Sequence, residues 1–447
     1  MTLAQFGRNL SPLTRRLAVL ALVNTVVVNL VLMALFLTPW RLTIFGSVHD
    51  LFVASQGQDS WGPMGHALDY LDGERERALY DEVFFAQQRK FQYPPTSLLP
   101  LYVLSAFAGP SGPSLLGLLN VLSWVSIAVS VFFTVKCFEL GMERAGLDGM
   151  EGPSRADRVT RIAVVAFMAL TFYPLIKAYT QGQIQAWINA LFAAALWLWA
   201  TARSRGSGAL IGAAVLLKPQ YGLLAVWGML RRRWSFVAAL GIVVGAGLAA
   251  SVALFDIGDH VNYVDVVRFL SERGESYYPN QSVNGLLHRL LFNGYNLGWK
   301  GRAFPPFHPW VYLLTAASSI VLVLAALMWR TSRQERGGTI DFCVIGLSAT
   351  IASPVAWEHH YGILPPIFAC LLPRVWAEGG ARRARALGWL AASYVLCSNF
   401  FAVSTALAPV PVANVLQSYL FFGAVILWFL LVARRRNAGN GTERPGA

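Results

Sequence analysis

Charged residues are scarce in this chain. Lys, Arg, Asp and Glu make up 13% of the 447 residues, whereas hydrophobic residues make up 55%. No long polar stretch lies outside two loops, and apolar runs of bilayer length recur, which excludes a soluble multidomain protein. The sequence therefore predicts one all-α, multi-pass membrane domain over residues 1-436 and a disordered tail over residues 437-447.

Cysteine is rare as well. The chain has four cysteines, all in or at the edge of apolar segments and none in a Cys-x-x-Cys pair. It also lacks an HExxH pattern and a DxD-like acidic pair. A disulfide framework and a metal site are therefore not indicated, and we expect neither a resident metal nor a cofactor.

Hydropathy predicts about ten membrane spans and two further apolar segments that fit poorly as spans. The segment 97-109 is too short, and the segment 208-230 is interrupted by Lys218-Pro219. Both are expected to be re-entrant or broken helices, which a membrane tolerates only where protein or a cavity surrounds them. The ten spans lie near residues 17-38, 113-137, 161-178, 184-201, 235-255, 310-329, 339-353, 361-376, 386-407 and 413-433.

Basic residues predict the orientation of these spans. Most of them fall in the termini and in short loops that share one side, which the positive-inside rule makes cytoplasmic. The outer side then receives the long loops 39-96 and 256-309, together with Glu358. We expect a bacterial inner-membrane or plasma-membrane protein with both termini in the cytoplasm and amphipathic helices in the outer loops. The net charge of +13 favours contact with anionic membrane lipid over nucleic acid.

The same orientation places a polar constellation on the outer face. Ionisable groups at membrane depth are costly and usually serve function, so this arrangement suggests an active site. A flippase or other transporter of lipid-linked sugars would more often hold its polar groups near the midplane. A non-catalytic envelope-assembly subunit also stays open. The residues of the constellation are Asp50, Asp59, Gln181, Gln183, Asn280, Gln281, His288, Glu358, His359 and His360.

Several polar residues have both a functional and a structural interpretation. Lys218 lies within an apolar segment, so an anionic partner such as phosphate is a natural inference, although its ammonium could also reach the interface. Arg289 could serve the same purpose or lie on an amphipathic surface helix. Gln181 and Gln183 could bind sugar hydroxyls or neighbouring helices. Glu358-His359-His360 could act in acid–base chemistry, bind substrate or support the fold.

Eight short motifs follow one another in a fairly specific order. They are Asp59 with Gly73, Leu79-Tyr80, Phe91-x-Tyr93-Pro94-Pro95, Gln181-Gly182-Gln183-Ile184, Gly212 to Lys218-Pro219, Arg231-Arg232-Arg233-Trp234, Asn280-Gln281-Ser282 and Ser353-Pro354-x-x-Trp357-Glu358-His359-His360. This order resembles glycosyltransferase family 87, a GT-C fold family that uses polyprenyl-phosphate sugars. The similarity covers roughly residues 15 to 435. Pro63 stands where the family often has Tyr, and Glu358 where it often has Asp.

The resemblance implies a GT-C-like enzyme that transfers mannose or arabinofuranose from a polyprenyl phosphate. The acceptor would be a glycolipid, lipoglycan or secreted protein on the extracytoplasmic face, and the transfer would be inverting and independent of metal. Donor sugar, acceptor, linkage, polyprenol length and oligomeric state stay open.

The resemblance also implies roles for particular residues. Asp59 is the expected general base, with Asp50 as the second choice because Pro63 departs from the family pattern. Further catalytic roles are implied for Glu358, His359 and His360. Binding of the donor and its phosphate is implied for Lys218, Arg289, Gln181, Gln183, Asn280, Gln281 and Tyr93.

Overall fold

Helices account for nearly all regular structure in the described part of the chain. The computed structural model describes residues 10–36, 39–53, 57–108, 113–148, 152–299, 303–329, 331, 337–402, 404 and 410–437. Within these ranges no β-strand occurs, and one isolated bridge pairs Asn280 with Trp357. The predicted disordered tail lies outside the described residues except for Asn437, which ends a helix.

The α-helices are numbered in chain order. They are α1 (Pro12–Leu22), α2 (Asn29–Phe36), α3 (Ile44–Phe52), α4 (Trp61–Asp72), α5 (Leu99–Ala108), α6 (Pro113–Arg144), α7 (Arg155–Leu170), α8 (Tyr173–Thr180), α9 (Gln185–Ala200), α10 (Ser204–Leu217), α11 (Leu223–Leu230), α12 (Trp234–Phe255), α13 (Ile257–Arg273), α14 (Val283–Leu290), α15 (Pro309–Met328), α16 (Thr339–Ile351), α17 (Leu364–Ala377), α18 (Gly380–Ser398) and α19 (Tyr419–Asn437).

The prediction of an all-α, multi-pass membrane protein is confirmed. Each of the ten predicted spans overlaps a helix, but only five described helical stretches are long and apolar enough to cross a bilayer by themselves. The bent pair α7 and α8, which meet at 53°, would make a sixth. Helices α9 and α16 are shorter than a full span, so the total of ten spans stays a prediction.

The predicted break at Lys218-Pro219 is present. Helix α10 ends at Leu217, and Lys218 takes an extended conformation before a 3₁₀ turn over Pro219–Gly222. Proline disfavours helical backbone in the residue before it and has no N–H for the helical ladder. The hydroxyl of Thr96, at the start of the other predicted broken segment, donates to the Leu216 carbonyl at 2.5 Å.

The two long loops pack against each other. The Asp259 carboxylate, on α13, accepts hydrogen bonds from the Leu79 backbone N–H and from Arg75, both at 2.8 Å. The Asn262 amide oxygen accepts from the Tyr80 backbone N–H at 2.9 Å. The second loop therefore fixes the path of the first from Arg75 to Tyr80.

A buried carboxylate joins several helices at the C-terminal end of α11, away from the break at Lys218. Asp341, on α16, has no exposed surface and pairs with Arg231 at 2.8 Å and Arg435 at 3.0 Å. It also accepts hydrogen bonds from the Trp227 indole and the Gly337 backbone N–H, both at 2.9 Å. Both carboxylate oxygens are thus satisfied, and the cluster ties α11, α16 and α19 together.

We expect Asp341→Asn to lower the stability of the protein by about 3 kcal/mol. The substitution leaves two buried guanidinium groups without their counter-charge, which is costly in a low-dielectric interior. The measurement is the midpoint of thermal unfolding in detergent. Asp72→Asn, at an exposed position, is the control and is expected to leave the midpoint unchanged. Equal midpoints for the two variants would contradict the structural role of Asp341.

Candidate active site

A backbone pairing carries the first long loop to the turn between α8 and α9. The N–H groups of Gly57, Asp59 and Ser60 donate to the carbonyls of Thr180, Gln181 and Gly182 at 2.8, 2.9 and 3.0 Å. Gly182 has φ +67, and a Cβ there would overlap the Gly57 carbonyl oxygen. Only glycine combines this left-handed conformation with so close an approach.

The pairing places Asp59 in a hydrogen-bonded group with three other side chains. Gln183 Nε2 donates to Asp59 Oδ2, while Gln183 Oε1 accepts from Ser60 Oγ at 2.6 Å and from the Tyr93 hydroxyl at 3.0 Å. These bonds fix the orientation of the Gln183 amide. Asp59 Oδ1 has no hydrogen-bond partner among the described residues, so this oxygen can take a proton from a ligand.

Lys218 is a buried cation without an acidic partner. Its ammonium donates to Gln185 Oε1 at 2.7 Å and contacts His360 Nε2, and only 8% of the residue is exposed. No carboxylate lies within ion-pair distance of Lys218 in the described ranges. A buried charge normally requires a partner, so the site is suited to an anionic ligand.

The two histidines present free ring nitrogens beside Lys218. His359 Nδ1 lies 3.1 Å from Gln181 Oε1. His359 Nε2 and His360 Nδ1 are buried and have no hydrogen-bond partner within the described residues. Burial lowers the pKa of both imidazoles, which keeps them neutral. A neutral ring carries one N–H: in His360, whose Nε2 faces the Lys218 amine, it is on the free Nδ1 and can donate to a ligand oxygen, whereas in His359 it is directed at Gln181 Oε1 and the free Nε2 can only accept.

Glu358 is held on both carboxylate oxygens. Tyr173 and Tyr419 donate to Oε2 and Oε1 at 3.0 and 3.2 Å, and the Glu358 backbone N–H donates to the Pro279 carbonyl at 3.0 Å. Burial raises the pKa of this carboxyl above its ordinary value. The side chain touches the cavity, but its hydrogen bonds are those of a residue that positions the segment around it.

Three predicted donor-binding residues instead support the wall of the site. Asn280 donates from Nδ2 to the carbonyls of Glu275 and Pro354 at 2.8 and 3.1 Å. Gln281 donates to the Gln417 carbonyl at 2.6 Å. Arg289 donates to the Asn280 carbonyl at 3.0 Å. None of Asn280, Gln281 and Arg289 lines the cavity, so direct contact with a donor there is not expected of them.

Asp50, the second choice for the base, lies elsewhere. It pairs with His49 at 3.3 Å, about half of its side chain is exposed, and it does not line the cavity. His288 is also outside the lining, and its ring nitrogens contact the Asn293 and Arg273 carbonyls at 3.1 and 2.6 Å. The geometry therefore favours Asp59 over Asp50.

The remaining predicted site residues meet in one cavity of about 1000 Å³. This is the upper end of the range for small-molecule sites, enough for a sugar phosphate and part of a second ligand. The described residues contain no group of three or more His, Cys, Asp or Glu side chains arranged to hold a metal. The predicted residues that line the cavity are Asp59, Tyr93, Gln181, Gln183, Lys218, Glu358, His359 and His360.

The cavity also contains residues that sequence reasoning missed. The run Gln88, Arg89 and Lys90 lines it directly before Tyr93, and Tyr277, Trp299 and Trp357 line it from the second loop and from the segment before Glu358. The available signal was the basic pair beside the Phe91-x-Tyr93-Pro94-Pro95 motif. From the sequence alone this pair is expected to be solvated, whereas in the structure Arg89 and Lys90 both line the cavity.

The fold and the cavity define a helical membrane protein with a carboxylate, a lysine and two histidines in one cavity. The model of glycosyltransferase family 87 matches residues 91–354, more than half of the chain. The chain therefore belongs to glycosyltransferase family 87, as the order of its motifs predicts.

Two curated relatives share a name, polyprenol-phosphate-mannose-dependent alpha-(1-2)-phosphatidylinositol pentamannoside mannosyltransferase. The protein from Mycobacterium tuberculosis is 29% identical over 67% of this chain and 62% of its own length. The protein from Mycolicibacterium smegmatis is 27% identical over 72% of this chain and 70% of its own. The match thus spans less than two thirds of the first relative.

A solved structure is also similar. It is the crystal structure of ArnT from Cupriavidus metallidurans bound to undecaprenyl phosphate, which is 15% identical with a TM-score of 0.32. The similarity covers 84% of this chain and 76% of that one.

We expect Gly182→Ala to detach Asp59 from its partners. Alanine at φ +67 costs about 1–3 kcal/mol of backbone strain, and its Cβ would push the Gly57 carbonyl away. Gly146→Ala is the matched control, because Gly146 has φ +63 and open space around a Cβ. The measurements are thermal unfolding and transfer activity. A loss of activity no larger than that of Gly146→Ala would contradict this role.

Proposed function

We propose that this protein transfers mannose from a polyprenyl phosphate to a hydroxyl of a cell-envelope acceptor. The observation that carries the proposal is the presence in one cavity of an open carboxylate oxygen on Asp59 and a buried Lys218 amine that has no acidic partner among the described residues. The names of the two curated relatives support mannose over arabinofuranose.

Lys218 is the proposed partner of the donor phosphate. A polyprenyl-phosphate sugar carries one negative charge at its phosphodiester, which matches the single positive charge that a protonated Lys218 would supply in the cavity. The Nδ1–H of His360 would hydrogen-bond a remaining phosphate oxygen. The amides of Gln181 and Gln183 line the same space and suit sugar hydroxyls.

Asp59 is the proposed general base. Its Oδ1 takes the proton of the acceptor hydroxyl while that oxygen attacks the anomeric carbon of mannose. The bond between the anomeric carbon and the phosphate oxygen breaks, and its electron pair leaves with polyprenyl phosphate. Attack from the face opposite the leaving group inverts the anomeric configuration, as in inverting glycoside hydrolysis.

The leaving group sets what else the site must supply. A phosphate monoester is a good leaving group without a general acid, so the requirement is positive charge on its oxygens. Lys218 meets that requirement for a singly charged donor, and we therefore propose transfer without a divalent cation. The positive-inside pattern supports an extracytoplasmic site with both termini in the cytoplasm. The bacterial organisms of the two curated relatives support the bacterial inner membrane as its location.

We expect Asp59→Asn to lower mannosyl transfer at least 100-fold, because the amide cannot accept the acceptor proton. The assay uses purified protein, radiolabelled polyprenyl-phosphate mannose and polyprenyl-phosphate arabinofuranose, and a panel of envelope glycolipids and lipoglycans. Asp50→Asn is the matched control and is expected to retain activity. EDTA is expected to have no effect.

The outcomes of this assay separate the rival functions. Equal activity of Asp59→Asn and wild type would remove Asp59 as the base. Transfer of arabinofuranose alone would overturn the choice of donor. Movement of the lipid-linked sugar across vesicles without transfer to any acceptor would point to a flippase instead.

We expect kcat/KM to fall at low pH with an apparent pKa above that of an ordinary aspartate, about 3.9. Desolvation by the surrounding protein raises the pKa of Asp59, while Gln183, Lys177 and Lys90 lower it in part. Activity needs the ionised form and is lost as the pH falls through this raised pKa. Lys90→Met removes a nearby positive charge and is expected to raise this apparent pKa further. An unchanged apparent pKa would assign the fall in activity to another group.

A further inference from the structure

A second cavity lies apart from the candidate active site. It has a volume of about 330 Å³ and is enclosed by helices α1, α6, α7, α17 and α18. It shares no lining residue with the active-site cavity. Two of the residues that line it, Arg16 and Gly388, are exposed, so the cavity opens at the surface of the protein. We call this cavity the α17 groove.

The α17 groove is lined almost entirely by apolar side chains. Its two hydroxyl groups already have partners, because Thr134 donates to the Ser130 carbonyl at 2.8 Å and Tyr394 to the Met168 carbonyl at 2.9 Å. Away from Arg16, the lining therefore favours an apolar ligand. The residues that α17 contributes recur every three or four positions and share one face of the helix: Pro365, Phe368, Ala369, Leu372 and Trp376.

The length of the α17 groove fits one acyl chain. Its lining extends along α17 from Pro365 to Trp376, which is about 16 Å at the rise of an α-helix. Helix α18 runs antiparallel beside α17, since Tyr394 stacks on Phe368 with ring centroids 5.4 Å apart while Arg383 lies at Trp376. One leaflet of the hydrocarbon core of a bilayer is about 15 Å deep. A phospholipid chain in the groove would therefore cross one leaflet.

Two guanidinium groups flank the Trp376 end of the α17 groove. The Cζ atoms of Arg16 and Arg383 lie 5.3 and 5.8 Å from the centroid of the Trp376 ring. Neither arginine has a carboxylate within ion-pair distance among the described residues. Tryptophan and arginine are typical of the membrane interface, where lipid phosphates lie.

The acidic residue beside this end of the groove has other partners. Glu378 pairs with Arg434 at 2.9 Å and with Arg382 at 3.6 Å. The positive charge of Arg16 and Arg383 is therefore not balanced by Glu378. Uncompensated charge at the rim of an apolar groove attracts a ligand that has an anionic head and an apolar tail.

The basic end is also too far from the candidate active site to hold the donor phosphate. Helix α17 begins directly after the 3₁₀ turn over Glu358–Ile363, which contains His360. Trp376 lies near the opposite end of the helix, about 18 Å further along its axis. A phosphate held beside Lys218 cannot be the one that Arg16 attracts, so the groove requires an anion of its own.

We propose that the α17 groove binds an anionic glycerophospholipid, such as phosphatidylglycerol, that is not a substrate. One acyl chain fills the groove, and the phosphate contacts Arg16 and Arg383. The bound lipid packs between α1, α7 and α17 and so stabilises the helix that follows the turn with the two histidines. The inference does not depend on the proposed transfer reaction.

The test measures binding of dioleoyl phosphatidylglycerol and dioleoyl phosphatidylcholine to the purified full-length protein by native mass spectrometry. We expect one molecule of phosphatidylglycerol to bind more tightly than phosphatidylcholine, whose head group carries a compensating positive charge. Arg16→Gln is expected to weaken binding of phosphatidylglycerol about fivefold and to leave that of phosphatidylcholine unchanged. Arg15→Gln is the matched control, because Arg15 is exposed on the same helix and does not line the groove.

A second variant tests the apolar part of the groove. Gly388 lines it, and a Cβ there would meet nothing within 4 Å. Gly388→Leu places a side chain in the groove, and leucine favours a helix more than glycine does, so the fold is expected to be retained. We expect at least fivefold weaker binding of phosphatidylglycerol. Gly245→Leu is the control, because Gly245 has the same open surroundings in α12 and lies outside the groove.

Three results would overturn the proposal. Equal affinity for the two lipids, or equal losses in Arg16→Gln and Arg15→Gln, would rule out a specific anion site. Unchanged binding in Gly388→Leu, with the thermal unfolding midpoint of wild type, would place the lipid outside the groove. One-to-one displacement of phosphatidylglycerol by undecaprenyl phosphate would assign the groove to a prenyl chain instead.

Discussion

The site depends on the backbone pairing between residues 57–60 and 180–182. Three main-chain hydrogen bonds carry a long outer loop onto a tight turn between two helices, and the close approach at Gly182 makes that possible. Asp59 is thereby brought beside Gln183, and Ser60 beside Tyr93. Gln181, in the same turn, meets His359 from a distant part of the chain. The main chain therefore brings Asp59, the proposed general base, to this position, and its side-chain hydrogen bond to Gln183 then orients it.

Two buried charges in this fold show opposite solutions to desolvation. Asp341 is surrounded by two guanidinium groups, an indole and a backbone N–H, so nothing is left for a ligand. Lys218 has an amide and an imidazole but no acid. Satisfied charges hold helices together, whereas an unsatisfied charge of this kind favours a ligand of opposite sign. The contrast distinguishes Asp341, which the protein itself neutralises, from Lys218, the proposed partner of the donor phosphate.

The sequence predicts those features that local chemistry controls. Pro219 fixes the helix break at residue 218. The order of the motifs indicates the family, and the motif residues Asp59, Gln183 and His359 line one cavity. The spacing of residues in the sequence does not reveal whether a polar side chain faces a cavity or a neighbouring carbonyl. The prediction that Asn280 and Arg289 bind the donor could therefore not take their carbonyl contacts into account. Hydropathy does not fix the number of membrane spans for a related reason. Short apolar helices such as α9 are covered by other parts of the protein, so their composition does not show whether they cross the membrane.

The helix break has one more consequence. Thr96 satisfies the Leu216 carbonyl, and Pro219 sets the backbone of Lys218, so neither support involves the lysine side chain. The position of residue 218 is therefore independent of its chemical identity. A related protein could have another side chain at this position and keep the same break in the helix. The charge of the ligand that suits the cavity could therefore change in evolution without a change of fold.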